Sequence, residues 1–358
     1  MRSFYNHKKV LITGHTGFKG AWLTKILCSW GAEITGVSLP PNTTPNLFGI
    51  LDLSNKIKAN YFIDVCDYKK LKEIIDETKP EIVFHLAAQP LVRDSYNDPL
   101  ATYNINVIGT ANVLQAVKEV GGVKSVVIIT TDKVYENKER LEPYNETDSL
   151  GGYDPYSASK AAADIVSYSY IRSFFNPSDF GVKHNTLVGI ARAGNVIGGG
   201  DWAKDRLIPD MVRAIFERQE DVVIRNPNSI RPWQHVLEPL RGYLMLAERL
   251  YNGEKKISGA WNFGPYEESF VCVEDLVRTG VSILKHGKYK IIPDNSKHEA
   301  NILKLDIKKA INELGWKPQL NFIDGLELTF DWYRQFYIGS KEMDGLTNNQ
   351  ITSFFVEK

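Results

Sequence analysis

The sequence is poor in cysteine, carries no net charge and contains no long apolar run, and each absence removes a class of protein. Three cysteines in 358 residues, Cys28, Cys66 and Cys272, are odd in number and widely scattered. They cannot form a disulfide framework, and without a CxxC or a clustered histidine no metal site is expected. Their apolar or periodic surroundings predict buried, reduced thiols. Lys+Arg and Asp+Glu both total 43, with no basic block, so nucleic acid is not the expected partner. No stretch approaches the ~20 apolar residues of a membrane-spanning helix, and Met1 to Lys9 is polar where a secretory signal would turn apolar. The expectation is a cytoplasmic chain with no membrane partner.

What is present is material for a large core: 43% hydrophobic residues against 24% charged. Single cores stop growing near ~250–300 residues, so a chain of this length predicts two domains or one domain with a cap. Short apolar runs at 9–13, 33–39, 61–65, 81–87, 125–131, 186–192 and 260–264 read as strands. Helical patterns at 68–78, 103–120, 156–175 and 237–251 separate most of them. Strands alternating with helices of this length give parallel βαβ units, hence an α/β fold with a doubly wound parallel sheet. Residues 195–228 and 265–358 fit the alternation poorly. They are expected to form a smaller, mostly C-terminal, substrate-holding domain beside a dinucleotide-binding domain of residues 1–194 with 229–264. From Asn348 onward the chain reads as a loosely held tail.

Glycines at 14, 17 and 20 stand between the first strand and the first helix. There they permit a tight turn, close approach of a pyrophosphate to backbone N–H groups and tight helix–strand packing. A dinucleotide site is therefore expected, with Thr16 and Phe18 inside the turn. The second strand ends near Ser38 with neither the carboxylate that marks NAD nor an arginine for NADP, which leaves that choice open. His85 reads as a satisfied, partly buried histidine. Asp154 and Pro155 open a helix in which Tyr156 and Lys160 lie four residues apart on one face. A lysine ammonium there is expected to pull the tyrosine pKa down from ~10 and make it a base.

The GxxGxxG spacing, the YxxxK pair and Thr131 at a strand end resemble the extended short-chain dehydrogenase/reductase superfamily. Asp132-Lys133, at the place where relatives acting on dTDP-glucose have Asp-Glu, resembles the CDP-glucose 4,6-dehydratase family. Segments 89–96, 192–202, 205–210, 231–236, 297–300 and 314–318 extend that likeness over most of the chain. The resemblance implies a Rossmann fold with NAD as cofactor, held by Gly14, Thr16, Gly17, Phe18, Gly20, Ser38, Asp64, Val65, Leu86, Ala87, Ala88, Tyr156 and Lys160. It implies catalysis by Thr131, Asp132, Lys133, Tyr156 and Lys160, with Tyr156 as base, Asp132 as acid and Lys133 as base or electrostatic partner. It also implies contacts to CDP-D-glucose from Gln89, Arg93, Asn195, Trp202, Arg206, Arg231 and His298, a homodimer or homotetramer, and a place in deoxysugar and lipopolysaccharide biosynthesis. Other nucleotide-sugar 4,6-dehydratases and C4-epimerases share most of these features and stay open. A non-catalytic dinucleotide sensor usually has a disrupted tyrosine–lysine pair, which is intact here.

Overall fold

The computed structural model describes residues 1–293 and 303–356. Numbering the strands of the main sheet alone, these are β1 (Lys9–Thr13), β2 (Glu33–Ser38), β3 (Ala59–Phe62), β4 (Ile82–His85), β5 (Ser125–Ile129), β6 (Leu187–Ala193) and β7 (Gly259–Phe263). They lie in the order β7-β6-β5-β4-β1-β2-β3, and every neighbouring pair is parallel. β4, β5 and β6 are buried along their whole length, as their continuous apolar runs require of strands covered on both faces. The direction of winding reverses between β1 and β4. A crevice opens there at the carboxyl edge of the sheet, where open α/β sheets take their ligands.

The register brings Thr13 beside His85 and His85 beside Ile128, so the ends of β1, β4 and β5 form one rim. His85 is sealed beneath it. One ring nitrogen lies 2.7 Å from Thr13 Oγ1 and the other 3.0 Å from Thr110 Oγ1. Burial first, and the Lys160 charge second, push its pKa down to about 3, so it is a neutral structural histidine. β3 lies two residues earlier than the sequence pattern suggests, because Ile63, Asp64 and Val65 leave the sheet to line the crevice.

Beyond the sheet, three small strand pairs tie distant segments together: 196–197 with 234–235, 230–232 with 270–272, and 222–224 with 289–291. The Gly198-Gly199-Gly200 run is explained by packing. A Cβ on Gly199 would stand 2.1 Å from Trp332 Cγ, and the Gly199 carbonyl accepts the Trp22 indole N–H at 2.9 Å. The C-terminal stretch is not a loose tail. Met343–Phe354 is a helix with Thr347, Ile351 and Phe354 buried, and Asp344 bonds Lys25 and Lys56 at 2.9 and 2.6 Å. The cysteines are free as expected, yet all three are only partly buried. Among the described residues no helix is long and apolar enough to cross a membrane, and no cluster of potential metal ligands occurs.

Candidate active site

The crevice is a cleft of about 1700 Å³ running from the glycine turn to the segments after β6. The turn is shaped by close backbone approach. Gly14 has φ +76°, and a Cβ there would lie 2.6 Å from the Ala87 nitrogen, while one on Gly20 would lie 2.0 Å from the Gly14 oxygen. Gly17 differs. A Cβ on it would meet only the Gly14 oxygen, at 3.5 Å, and it precedes the first residue of helix Phe18–Ser29. The helix N-terminus thus faces open cleft over a residue without a side chain, which suits a phosphate pair. Thr16 Oγ1 reaches Ser38 Oγ at 2.8 Å and donates to the Leu39 carbonyl at 2.9 Å, filling the place where a carboxylate or arginine is usual. Asp64, Val65, Leu86, Ala87 and Ala88 continue the same wall. These residues fit a dinucleotide.

At the inner end, β5 runs into a short turn, Asp132–Val134. Thr131 Oγ1 donates to Asp132 Oδ1 at 2.9 Å and also hydrogen-bonds the Tyr156 phenol. Asp132 is buried, and it has room only because residue 194 is glycine: a Cβ there would stand 2.7 Å from Asp132 Oδ2. Lys133 also lines the cleft. The helix Pro155–Ser173 starts as its first residues dictate, with Asp154 Oδ1 accepting the Ser157 amide at 2.9 Å and Pro155 at the first position. Two buried contacts lock this helix in place. Arg192 grips Asp164 through Nε at 2.9 Å and Nη2 at 2.8 Å, and Asn106 Nδ2 donates to Ser159 Oγ at 2.8 Å.

The protonation expected of Tyr156 requires correction. Burial dominates and pushes the phenol up to about 12; the Asp132 charge adds to this, while the Thr131 hydrogen bond and the Arg206 charge oppose it. Lys160 is not among the main causes of that shift. Its Nζ donates to the Ile129 carbonyl at 2.8 Å, and burial, reinforced by the charge of Lys19, pulls its own pKa down to about 7.

Of the residues expected to meet the sugar nucleotide, Arg93, Asn195, Arg206 and Arg231 line the cleft. Arg206 bonds Asp201 at 2.8 Å close to the Tyr156 end, and Arg93 faces Asp205 at 3.6 Å. Two do not line it. Gln89 folds onto its own loop, its amide bonding the Leu91 carbonyl and Thr102 Oγ1 at 3.1 and 3.0 Å. Trp202 is core, 5% exposed, packed against Trp332, Tyr333 and Phe336 with its N–H on the Tyr337 hydroxyl. His298 lies outside the described residues.

A family model described as GDP-mannose 4,6 dehydratase matches residues 11–329. The chain belongs to that family. Its relatives include the CDP-glucose 4,6-dehydratase of Salmonella typhimurium, 48% identical over 99% of this chain and 98% of that one. The dTDP-glucose 4,6-dehydratase of the same organism is 27% identical over 91% of this chain and 92% of its own. Among solved structures, the DesIV dTDP-glucose 4,6-dehydratase of Streptomyces venezuelae superposes with a TM-score of 0.76 at 24% identity, covering 91% of this chain and 97% of that one. The UDP-glucose 4-epimerase of Thermotoga maritima gives the same TM-score at 23% identity, covering 91% and 99%. Dehydratase and epimerase thus share one architecture, and the fold alone does not separate them.

The family member described here has cleft residues that its sequence pattern did not single out. Lys19 sits within the glycine turn, its pKa drawn down to about 8 by burial and the Arg206 charge against the opposing pull of Asp132. Arg225 lines the outer cleft and shares Asp205 with Arg93, also at 3.6 Å. Neither has a local signal, because their partners come from segments far away in the chain. Asn106, buried behind the cleft, had one: an asparagine amid an apolar helical run. It forms part of a π-helical turn, Asn104–Ile108, where it also accepts the Gln89 amide at 2.8 Å.

Proposed function

We propose that this chain is a cytoplasmic, NAD-dependent CDP-glucose 4,6-dehydratase that converts CDP-D-glucose to CDP-4-dehydro-6-deoxy-D-glucose and water. The observation that carries the reading is the 48% identity, end to end, with a CDP-glucose 4,6-dehydratase. The grouping of Thr131, Asp132, Lys133 and Tyr156 around one cleft supports it. Residues 1–194 with 229–264 hold the cofactor, and residues 195–228 with 265–358, joined by Arg93 and Arg231 of the first domain, hold the sugar nucleotide.

The chemistry that bound NAD would supply is a hydride acceptor for C4 and a hydride donor for C6. Gly14, Thr16, Gly17, Phe18, Gly20 and Ser38 hold it on one side, and Asp64, Val65 and residues 86–88 on the other. Tyr156 takes the C4 hydroxyl proton, with Thr131 orienting the phenol and the Arg206 charge favouring the phenolate against the cost of burial. Oxidation at C4 acidifies the C5 proton. Asp132 protonates the departing C6 hydroxyl, Lys133 either removes the C5 proton or stabilises the enolate left behind, and a proton returns to C5 as C6 is reduced. Arg231, Asn195 and Arg93 hold the nucleoside diphosphate, a guanidinium offering a planar fork to phosphate oxygens. The product serves deoxysugar synthesis for lipopolysaccharide or another glycan. Leu100, Ile108 and Ile165 are exposed on the helical segments 99–120 and Pro155–Ser173 and supply the face of a homo-oligomer.

The test is incubation of the purified chain and NAD with CDP-, dTDP-, GDP- and UDP-glucose separately, following product mass. Loss of one water from CDP-glucose alone is expected. Isomerisation without mass change indicates an epimerase, and water loss from another nucleotide overturns the assignment of the base.

A further inference from the structure

Apart from the cleft, a second concavity of about 1190 Å³ lies between the chain's N-terminus, the end of helix Phe18–Ser29 and helix Met343–Phe354. Its lining includes Arg2, Lys25, Lys56, Arg241 and Lys317, with Asp344 as the carboxylate among them. Asp344 is already used, bonding both Lys25 and Lys56 and so pinning the C-terminal helix as one wall.

Arg241 is the unusual member. It is 8% exposed, so its charge is nearly out of water, yet among the described residues it forms no ion pair within 4 Å. Its Nη2 donates to the Lys317 carbonyl, Nη1 lies 3.6 Å from the Met245 sulfur, and Nε has no hydrogen-bond partner. A buried guanidinium normally finds a carboxylate or phosphate in a planar, two-pronged contact. Glu238, on the same helix, acts on Arg241 with its charge from beyond ion-pair distance, and its Oε2 is buried without a hydrogen-bond partner among the described residues. Its Oε1 accepts the amides of Gln319 and Leu320 at 2.7 and 2.6 Å, and burial pushes its pKa up to about 7. Arg241 therefore faces a hollow in which, among the described residues, the one lining carboxylate is Asp344, shared by two other cations.

We propose that this concavity is an anion site for a soluble phosphate-bearing ligand, with Arg241 at its floor and the exposed Arg2 and Lys317 at its rim. The ligand's phosphate oxygens supply the acceptors that Arg241 lacks. Since the C-terminal helix forms one wall, occupancy also holds that helix against helix Phe18–Ser29.

Pyrophosphate is the probe, titrated calorimetrically into the full-length protein at constant ionic strength. The expected result is saturable binding that weakens about tenfold or more in an Arg2→Gln/Lys317→Gln double variant, the loss of charge-assisted contacts. Arg241→Gln is expected to weaken it further. Should that variant fail to fold, the rim double variant, altered only at exposed positions, carries the test. Binding of equal strength in wild type and the double variant assigns the pyrophosphate to the main cleft and overturns the proposal, as does no binding at all. An Arg231→Gln change, made in the cleft, is expected to leave the groove's share intact. Its disappearance there has the same overturning force.

Discussion

At the inner end of the cleft, Thr131, Asp132 and Lys160 are buried and joined by hydrogen bonds of 2.8–2.9 Å to fixed backbone or side-chain partners. At the outer end, Arg93 and Arg225 share Asp205 at 3.6 Å each, partly in solvent. The first arrangement is set by strand register and a capped helix and needs no movement to act. The second consists of long side chains whose carboxylate partner, under the proposed function, must yield before a diphosphate can be held. Preorganisation belongs to the reacting end, where misplacement is costly, while the recognition end trades loose ion pairs for a ligand.

The comparison is broken most severely at the phenol. Tyr156→Phe keeps the packing and removes the group that moves the proton, so turnover is expected to fall by about 10²–10⁴ with little change in melting temperature. The clamp behind it is the next target. Asp164→Ala strands the buried Arg192 charge and is expected to cost about 3–5 kcal/mol in chemical denaturation. Lys133→Ala separates the two halves of the reaction: reduced cofactor should accumulate, seen by its absorbance, while water loss slows. An unchanged overall rate removes Lys133 from the chemistry.

The inner end also makes a signed pH prediction. Lys160 binds its proton less tightly folded than unfolded, since its pKa falls from 10.5 to about 7. Between those values the unfolded chain holds more protons, so this group makes stability rise with pH, and its burden is fully present below about 7. Lys160→Met should therefore be more stable than wild type near pH 6, with the difference fading as pH approaches the unfolded value. A constant difference across that range contradicts the buried-ammonium account. The smallest effect is expected outside: Asp205→Asn removes the carboxylate charge that Arg93 and Arg225 share and should lower KM about two- to fivefold at unchanged kcat.

The inner end is also the part that sequence made legible. Continuous apolar runs place β4 to β6, and the Asp154-Pro155 start places Tyr156, because these features depend on neighbours in the chain. Trp202 misled because its partners, Trp332 to Tyr337, lie 130 residues away; a tryptophan after a glycine run looks the same whether it stacks on a ligand or fills a core. Tyr156 was misjudged for a different reason. YxxxK spacing gives proximity, but burial outweighs it, and burial is a property of the whole fold. The last helix did have a signal, with Met343, Thr347, Gln350, Ile351 and Phe354 buried on one face at helical spacing, masked by the polar residues between them.

The central claim is that one cleft oxidises at C4 and reduces at C6 of the same sugar. It is tested most directly with CDP-glucose carrying deuterium at C4, in the presence of unlabelled NAD. The account predicts a product one water lighter with the deuterium in its C6 methyl group. Deuterium washed out to solvent, retained at C4, or found in a product of unchanged formula would contradict it.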